Sequence, residues 1–381
     1  MNGQTRETKE ATPSKTVLQR KIPEYLERCI ECNRCMEVCP VTKDGFSLHE
    51  LNVASQEGQP VPPKIREFAF HCMQCGSCVP VCPKDIRRDH LMLSIKHKVK
   101  DKKPWGYRRY LLIKGLKKPG VKRFLQNWYI RSKKLSTKDL ACYMEQTPVR
   151  NSEVLFYPGC YIYSAETIRH TLRLLDHVGC DYTILGGVTF CCGMPHRLQG
   201  EFAAADECQK LLAQKIKTCA PKIIITACAE CFEAIEQIKK TYQMDVEVLT
   251  VAQYLLRFQD KFTSKKIRGK VAVHDSCRLP ADSPQGMAAY QSVSRFADLA
   301  DFHKDQPSRC CSQWNHDSDP QNIVRRMKYL KAVQRNAPTL VCNCLTCYEE
   351  LEKTYSDVEV IDVLQLFVEA LEVATETEEQ P

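Results

Sequence analysis

The sequence predicts an α+β protein: a small helical module at the N-terminus, then a duplicated α/β region with two pseudo-symmetric lobes. Three observations predict it. Eight cysteines between positions 29 and 82 fall into two runs of identical spacing. From Ser152 onward, short apolar runs alternate with helical stretches, the signature of mainly parallel strands joined by helices. Within that region five cysteines recur at offsets of 116 to 119 residues.

The two N-terminal runs are Cys29, Cys32, Cys35, Cys39 and Cys72, Cys75, Cys78, Cys82. Each reads Cys-x-x-Cys-x-x-Cys-x-x-x-Cys-Pro and is closed by Pro40 or Pro83, which fixes the chain direction and lacks an N–H. The pattern is that of bacterial ferredoxins with two cubane [4Fe–4S] clusters. A two-residue gap lets three thiolates converge from one tight loop, which cannot also supply the fourth ligand. In this pattern the fourth cysteine of each run ligates the other cluster. One predicted ligand set is Cys29, Cys32, Cys35 and Cys82; the other is Cys72, Cys75, Cys78 and Cys39. Paired Cys-x-x-Cys motifs also bind zinc. A cysteine triple with a proline-capped fourth, present twice, fits iron–sulfur clusters better.

The 381 residues divide into a disordered tail (1–20), the two-cluster module (21–95), a basic helical connector (96–150) and two lobes (151–265 and 266–381). Between Lys96 and Lys138 lie sixteen Lys or Arg and one acid, a local charge of +15 against +9 for the whole chain. Trp105, Tyr107, Tyr110, Phe124, Trp128 and Tyr129 are interleaved with those charges. A solvated helix, a docking surface for a partner subunit or an anionic membrane face, and a nucleic-acid surface are the readings such a block allows. No nucleic-acid motif accompanies it, so no nucleic-acid partner is expected. Residues 1–20 lack the apolar run of a signal peptide, and no apolar stretch reaches the length of a membrane span. Reduced thiolates are needed to hold iron, so a cytoplasmic location is expected, with membrane association only through a partner.

Val154–Tyr157, Tyr182–Leu185, Lys222–Thr226 and Val246–Leu249 read as buried strands. The repeat sets Cys160, Cys191, Cys192, Cys228 and Cys231 against Cys277, Cys310, Cys311, Cys344 and Cys347. Flanks match as well: Val246-Glu-Val-Leu parallels Val358-Glu-Val-Ile. In both halves the cysteines follow predicted strands, where an α/β sheet places its ligands.

A cysteine, then Cys-Cys-Gly, then Cys-x-x-Cys resembles the cysteine-rich CCG domain of the heterodisulfide reductase family. That family includes the iron–sulfur subunits of anaerobic glycerol-3-phosphate, glycolate and some succinate dehydrogenases. Tyr157-Pro-Gly-Cys160, Cys191-Cys-Gly193 and His274-Asp-Ser-Cys-Arg-Leu279 carry the resemblance, which covers nearly all of the chain from residue 21. It implies one noncubane [4Fe–4S] cluster on each five-cysteine set, those ten cysteines forming the catalytic centre, with a disulfide cleaved between the two clusters. The second set departs from the pattern: Cys310-Cys311 is followed by Ser312, and 32 residues separate the vicinal pair from Cys344, against 35 between the first pair and Cys228. Cys342 stands near enough in sequence to substitute as a ligand.

The other cysteines, Cys142, Cys180, Cys208, Cys219 and Cys342, lack repeat partners and read as core residues. His196, His274 and His316 lie within five residues of cysteines of the two sets and are candidates for hydrogen bonding to sulfur or proton delivery. Gly186-Gly187 does not make a nucleotide fingerprint, so no flavin or nicotinamide is expected on this chain. The resemblance implies a flavin- or haem-containing partner subunit in a hetero-oligomeric complex, and the charge of residues 96–138 offers a surface for docking to a membrane subunit. Two functions follow from it. One is a CoB–CoM heterodisulfide reductase-like subunit of anaerobic metabolism. The alternative is a non-catalytic relay between a flavin dehydrogenase and a membrane quinone pool.

Overall fold

The structure, a computed structural model, describes residues 15–41, 44–102, 151–159, 165–187, 190–302, 310–311 and 320–378. It divides into two compact units, Met1–Pro104 with Met194–Asp206, and Trp105–Gly193 with Glu207–Pro381. The basic connector lies almost entirely outside the described residues, as do Cys142, Cys160, Ser312 and His316.

The first unit is helical. Its helices are α1 (Lys15–Arg28), α2 (Arg34–Glu37), α3 (Leu48–Ser55), α4 (Pro63–His71) and α5 (Arg88–Val99). Helix α3 opens on a capping box: Ser47 Oγ accepts from Glu50 N, and the Glu50 carboxylate accepts from Ser47 N. Helix α5 is the central post. Met92 and Ile95 pack with Leu51, Ile65 and Phe68, while Leu91 and Leu93 pack with Leu18, Ile22 and Phe202. Two expectations change here. Helix α1 begins at Lys15, within the stretch expected to be disordered, because Leu18 and Ile22 have an apolar cluster to join. Lys96–Val99, placed in the connector on charge alone, complete α5.

The second unit holds two four-stranded parallel sheets. The first has β1 (Val154–Phe156), β2 (Tyr182–Ile184), β3 (Ile223–Thr226) and β4 (Glu247–Thr250), in the order β2-β1-β3-β4. The second has β5 (Lys270–His274), β6 (Asp298–Leu299), β7 (Thr339–Cys342) and β8 (Glu359–Asp362), in the order β6-β5-β7-β8. The inner strands are near-continuous apolar runs, as strands covered on both faces must be. Register pairs Phe156 with Ile225 in the first sheet and His274 with Cys342 in the second.

The helices that follow β1 in the chain are α6 (Ala165–His177), α7 (Met194–Arg197), α8 (Phe202–Cys219), α9 (Ala229–Thr241) and α10 (Val251–Leu255), of which α7 and the first turn of α8 belong to the helical unit. They are followed by α11 (Pro284–Phe296), α12 (Pro320–Gln334), α13 (Leu345–Glu352) and α14 (Val363–Glu378). One apolar core serves both sheets, running from Val154 and Phe156 through Val271 and Val273 to Phe367. At its centre Phe367 meets Phe262 and Phe296 edge-on, with ring centroids 5.1 and 5.2 Å apart. Thr167 Oγ1 donates to Asp362 Oδ2 at 2.7 Å, tying α6 to the end of β8. The stretch expected to form the first lobe is interrupted: Met194–Asp206 are grouped with the helical unit.

Candidate metal centres

Both N-terminal cysteine loops bend in the same way. In the first, Glu31 and Asn33 take left-handed backbone with φ of 51° and 63°. In the second, the equivalent Gln74 and Gly76 have φ of 55° and 74°. Each lies two or four residues after the first cysteine of its run. Successive left-handed residues curl the chain so that the three thiols face one point, a conformation that costs non-glycine residues energy.

The first run and the end of the second meet in one pocket, lined by Cys29, Cys32, Cys35 and Cys82 with Pro83, Ile86 and Arg88. Donors are aimed at its sulfurs. Asn52 Nδ2 and Arg88 Nη2 each stand 3.5 Å from Cys29 Sγ, and Ile86 N stands 3.4 Å from Cys82 Sγ. Arg88 also donates to Asn52 Oδ1 at 2.5 Å, while its buried Nε has no hydrogen-bond partner. Burial pushes the Cys35 thiol up, and the Arg88 guanidinium opposes it.

The remaining four gather separately. Cys39, Cys72 and Cys78 pack against one apolar cluster. Burial, reinforced by Asp89 and by Cys75, Cys72 and Cys39, holds the Cys78 thiol well above the usual range. Burial also raises Cys72, against the pull of Lys96, and Gln74 Nε2 donates to its sulfur at 3.6 Å. Thus Cys82 stands with the first run and Cys39 with the second. The pocket and the N–H groups aimed at sulfur fit a thiolate-held cluster. No described group of three or more His, Cys, Asp or Glu is gathered closely enough to hold a single metal ion.

In the second unit the cysteines sit at the switch points of the sheets. Strand order reverses beside β1 and β3, and again beside β5 and β7, the position at which an open α/β sheet forms a crevice outside its carboxyl ends. Cys228 follows β3 and caps α9; Cys344 follows β7 and caps α13. The two caps face each other. Ala229 N donates to Cys344 Sγ at 3.5 Å, Leu345 N donates to Ala227 O at 2.9 Å, and Cys228 Sγ lies 4.0 Å from Thr346 Oγ1.

From there the thiols form a continuous series. Cys231 Sγ donates to Cys192 Sγ at 3.8 Å. Cys228 is hydrogen-bonded to Cys231 and Cys344; Cys347 links Cys344 to Cys311, which also meets Cys310. Thiols that accept are pushed down: hydrogen bonds from Cys310 and Cys347 bring Cys311 to about 6, and those from Cys228 and Cys347 put Cys344 well below the usual range. Thiols that donate are pushed up: Cys231 by its bonds to Cys192 and Cys228, Cys347 by those to Cys311 and Cys344, both reinforced by burial. Cys277 bears electrostatically on Cys311. Cys160 lies outside the described residues, but Gly159 before it is left-handed at φ 99°, and a Cβ there would lie 3.3 Å from Cys231 Sγ. Gly193, at φ 79°, donates its N–H to Cys191 Sγ at 3.4 Å.

Two ion pairs, one half-buried and one buried, stand beside these cysteines. Arg278 meets Glu233 at 3.1 Å, and Arg326 meets Glu350 at 2.7 Å while its Nε donates to Cys311 O. His274, 2% exposed, hydrogen-bonds through Nδ1 with Tyr329 Oη at 2.8 Å, and burial pushes it down to about 4. His196 pairs with Glu201 at 3.6 Å in the helical unit. Cys219 is buried at the end of α8, Cys208 and Cys180 are half-buried, and Cys342 is buried at the end of β7. Sequence reasoning missed Arg88, Asn52, Lys96 and Arg326. Arg88 and Lys96 lie at helical spacing among apolar neighbours, the one signal that pointed inward.

The class of protein these features define is an iron–sulfur protein. Residues 21–83 match the 4Fe-4S dicluster domain, and residues 154–236 match the cysteine-rich domain. Its relatives include a component of the dihydromethanophenazine:CoB–CoM heterodisulfide reductase of Methanosarcina mazei, 26% identical over 59% of this chain and 60% of that one. The Methanosarcina barkeri counterpart is 24% identical over 59% and 60%. A component of the fumarate reductase (CoM/CoB) of Methanothermobacter marburgensis is 23% identical over 56% of this chain and 46% of its own. The chain spans about 60% of the length of the first two. Glutamate racemase RacE1 of Bacillus anthracis aligns at a TM-score of 0.32 and 13% identity, over 61% of this chain and 83% of its own. Among the described residues no helix is long and apolar enough to cross a membrane.

Proposed function

We propose that this chain is the iron–sulfur subunit of a heterodisulfide reductase-like oxidoreductase, and that its second unit is a tandem pair of cysteine-rich lobes. The observation that carries the reading is the thiol series from Cys192 to Cys310, which joins equivalent positions of the two sheets at their switch points. Two sites that meet in one crevice suit a substrate with two sulfurs. In the helical unit, Cys29, Cys32, Cys35 and Cys82 would hold one cubane cluster, and Cys72, Cys75, Cys78 and Cys39 the other. The cysteines of the crevice, with Cys160 and Cys277, would hold the noncubane clusters. When bound, such clusters supply electrons one at a time. Reducing a disulfide to two thiols takes two electrons and two protons, so the partner subunit acts as reductant.

The chain's own residues have definite parts in this reading. Gly159 and Gly193 keep the crevice free of side-chain bulk beside Cys231 and Cys191. The N-terminus of α9 directs the Ala229 N–H at Cys344 Sγ, which favours the thiolate form of Cys344. A relay to a quinone pool is the second reading, favoured by the +15 charge of residues 96–138, which suits an anionic membrane surface.

Anaerobic purification followed by iron analysis and EPR tests the proposal. Four clusters correspond to about sixteen irons per chain. Addition of coenzyme M or coenzyme B should alter the EPR signal of the crevice. About eight irons would leave only the helical unit's clusters and sink the crevice assignment. Sixteen irons with no response to either thiol would favour the relay.

A further inference from the structure

Helix α5 carries two buried cations eight residues apart, Arg88 at 4% exposure and Lys96 at 1%. Eight residues are about 12 Å of helix. Long cationic side chains are seldom buried completely, because leaving water costs several kcal/mol per ion unless the surroundings compensate.

Each cation attends one cysteine set. Arg88 Nη2 lies 3.5 Å from Cys29 Sγ, and its charge acts on Cys35. Lys96 Nζ lies 2.6 Å from Cys72 O and 3.2 Å from Leu198 O, and its charge acts on Cys72. Between them in sequence, Asp89 is 7% exposed and acts on Cys78 and Cys72 only as an opposing charge. Asp89 is itself held by Arg87 at 2.7 Å.

A thiolate-held cluster is anionic, and reduction adds one more negative charge. A nearby buried cation stabilises the reduced form and raises the potential; a nearby carboxylate lowers it. Coulomb energy falls with distance, so each side chain acts chiefly on its own neighbour. We propose that helix α5 sets the reduction potentials of the two clusters separately, Arg88 acting at the Cys29 site and Lys96 at the Cys72 site. This rests on the cluster assignment above.

The test is a potentiometric titration of the full chain followed by EPR, for Arg88→Met, Lys96→Met, Arg88→Lys, Lys96→Arg and Asp89→Asn. Each methionine variant should lower one midpoint and leave the other in place, and the two variants should lower different ones. The expected change is at least tenfold in the oxidised-to-reduced ratio at fixed ambient potential, about 59 mV for one electron. Charge-keeping variants should return most of it. Asp89→Asn should raise the midpoint that Lys96→Met lowers. That opposite sign separates a charge effect from loosened packing, which would not reverse. It also decides the matter if a methionine variant fails to hold its cluster: a fall, or no change, in Asp89→Asn overturns the proposal. Common movement of both midpoints in every variant overturns it too. Fewer than about eight irons in the unaltered chain would instead refute the underlying cluster assignment.

Discussion

The two cysteine regions are built by opposite means. In the helical unit, a cysteine loop is local: three thiols within seven residues, curled by left-handed backbone at Glu31 and Asn33 or Gln74 and Gly76. In the sheet unit it is topological: Cys192, Cys228, Cys311 and Cys344 meet because strand order reverses beside β1 and β3 and beside β5 and β7. A local site needs only its loop and a few donors. A topological site needs the whole core beneath it.

Loss of one ligand should separate the two most sharply. On the cluster assignment proposed above, Cys35→Ser should remove one EPR signal of the helical unit and leave any thiol-responsive signal of the crevice in place. Cys344→Ser should do the reverse, and by breaking the series at its centre should perturb the crevice as a whole. If either change erased both classes of signal, the regions would not be independent.

Next in size is Arg326→Ala. It strips Glu350 of a buried partner and Cys311 O of a donor. The expected cost is about 3–5 kcal/mol, read by chemical denaturation. An equally large effect from a helical-unit substitution of the same type would weaken the distinction, because that unit's sites lean on backbone shape. Gly200→Ala tests that reliance on backbone shape. Gly200 sits at φ 78°, and a Cβ there would collide with the backbone N of His97, so backbone must give. About 3 kcal/mol is expected, confined in hydrogen exchange to the helical unit.

The smallest effect is pH-dependent. Arg268 holds Glu369 through two bonds of 2.6 Å and Glu359 through one of 2.5 Å. Its guanidinium lowers the Glu359 carboxyl below the usual range. A lowered carboxylate contributes stability above its unfolded value, near about 4.3, and loses it as pH falls through the folded value. Arg268→Ala should therefore cost about 1–2 kcal/mol at pH 7, discounted for partial exposure, and progressively less in acid melts. A cost that held constant into strong acid would assign it to packing.

The same contrast explains what was legible in the sequence. The curl of the two N-terminal cysteine loops follows their spacing, which the sequence displays directly. The four strands of the first sheet could be read because buried parallel strands are apolar throughout. What the sequence concealed was mostly long-range. Nothing near Lys96 announces that its ammonium reaches the carbonyls of Cys72 and Leu198. Charge alone placed it in the connector, and packing moved it into α5. Met194–Asp206 were read as part of a lobe because they continue from a cysteine motif, yet Leu198, Gly200 and Phe202 have their partners on α5. The repeat was visible as spacing, whereas the meeting of Cys228 with Cys344 is a property of the assembled sheets.

The facing caps of α9 and α13 have a further consequence. Leu345 N is satisfied by Ala227 O, and Ala229 N by Cys344 Sγ, while Phe262 and Phe296 both meet Phe367 edge-on. Each half thus completes the other's helix ends and core, as the protomers of an obligate dimer do. The peptide between Ser264 and Lys265, both exposed, makes none of those contacts. A chain nicked there should stay assembled under native conditions, and two separately made fragments should recover their fold only when mixed.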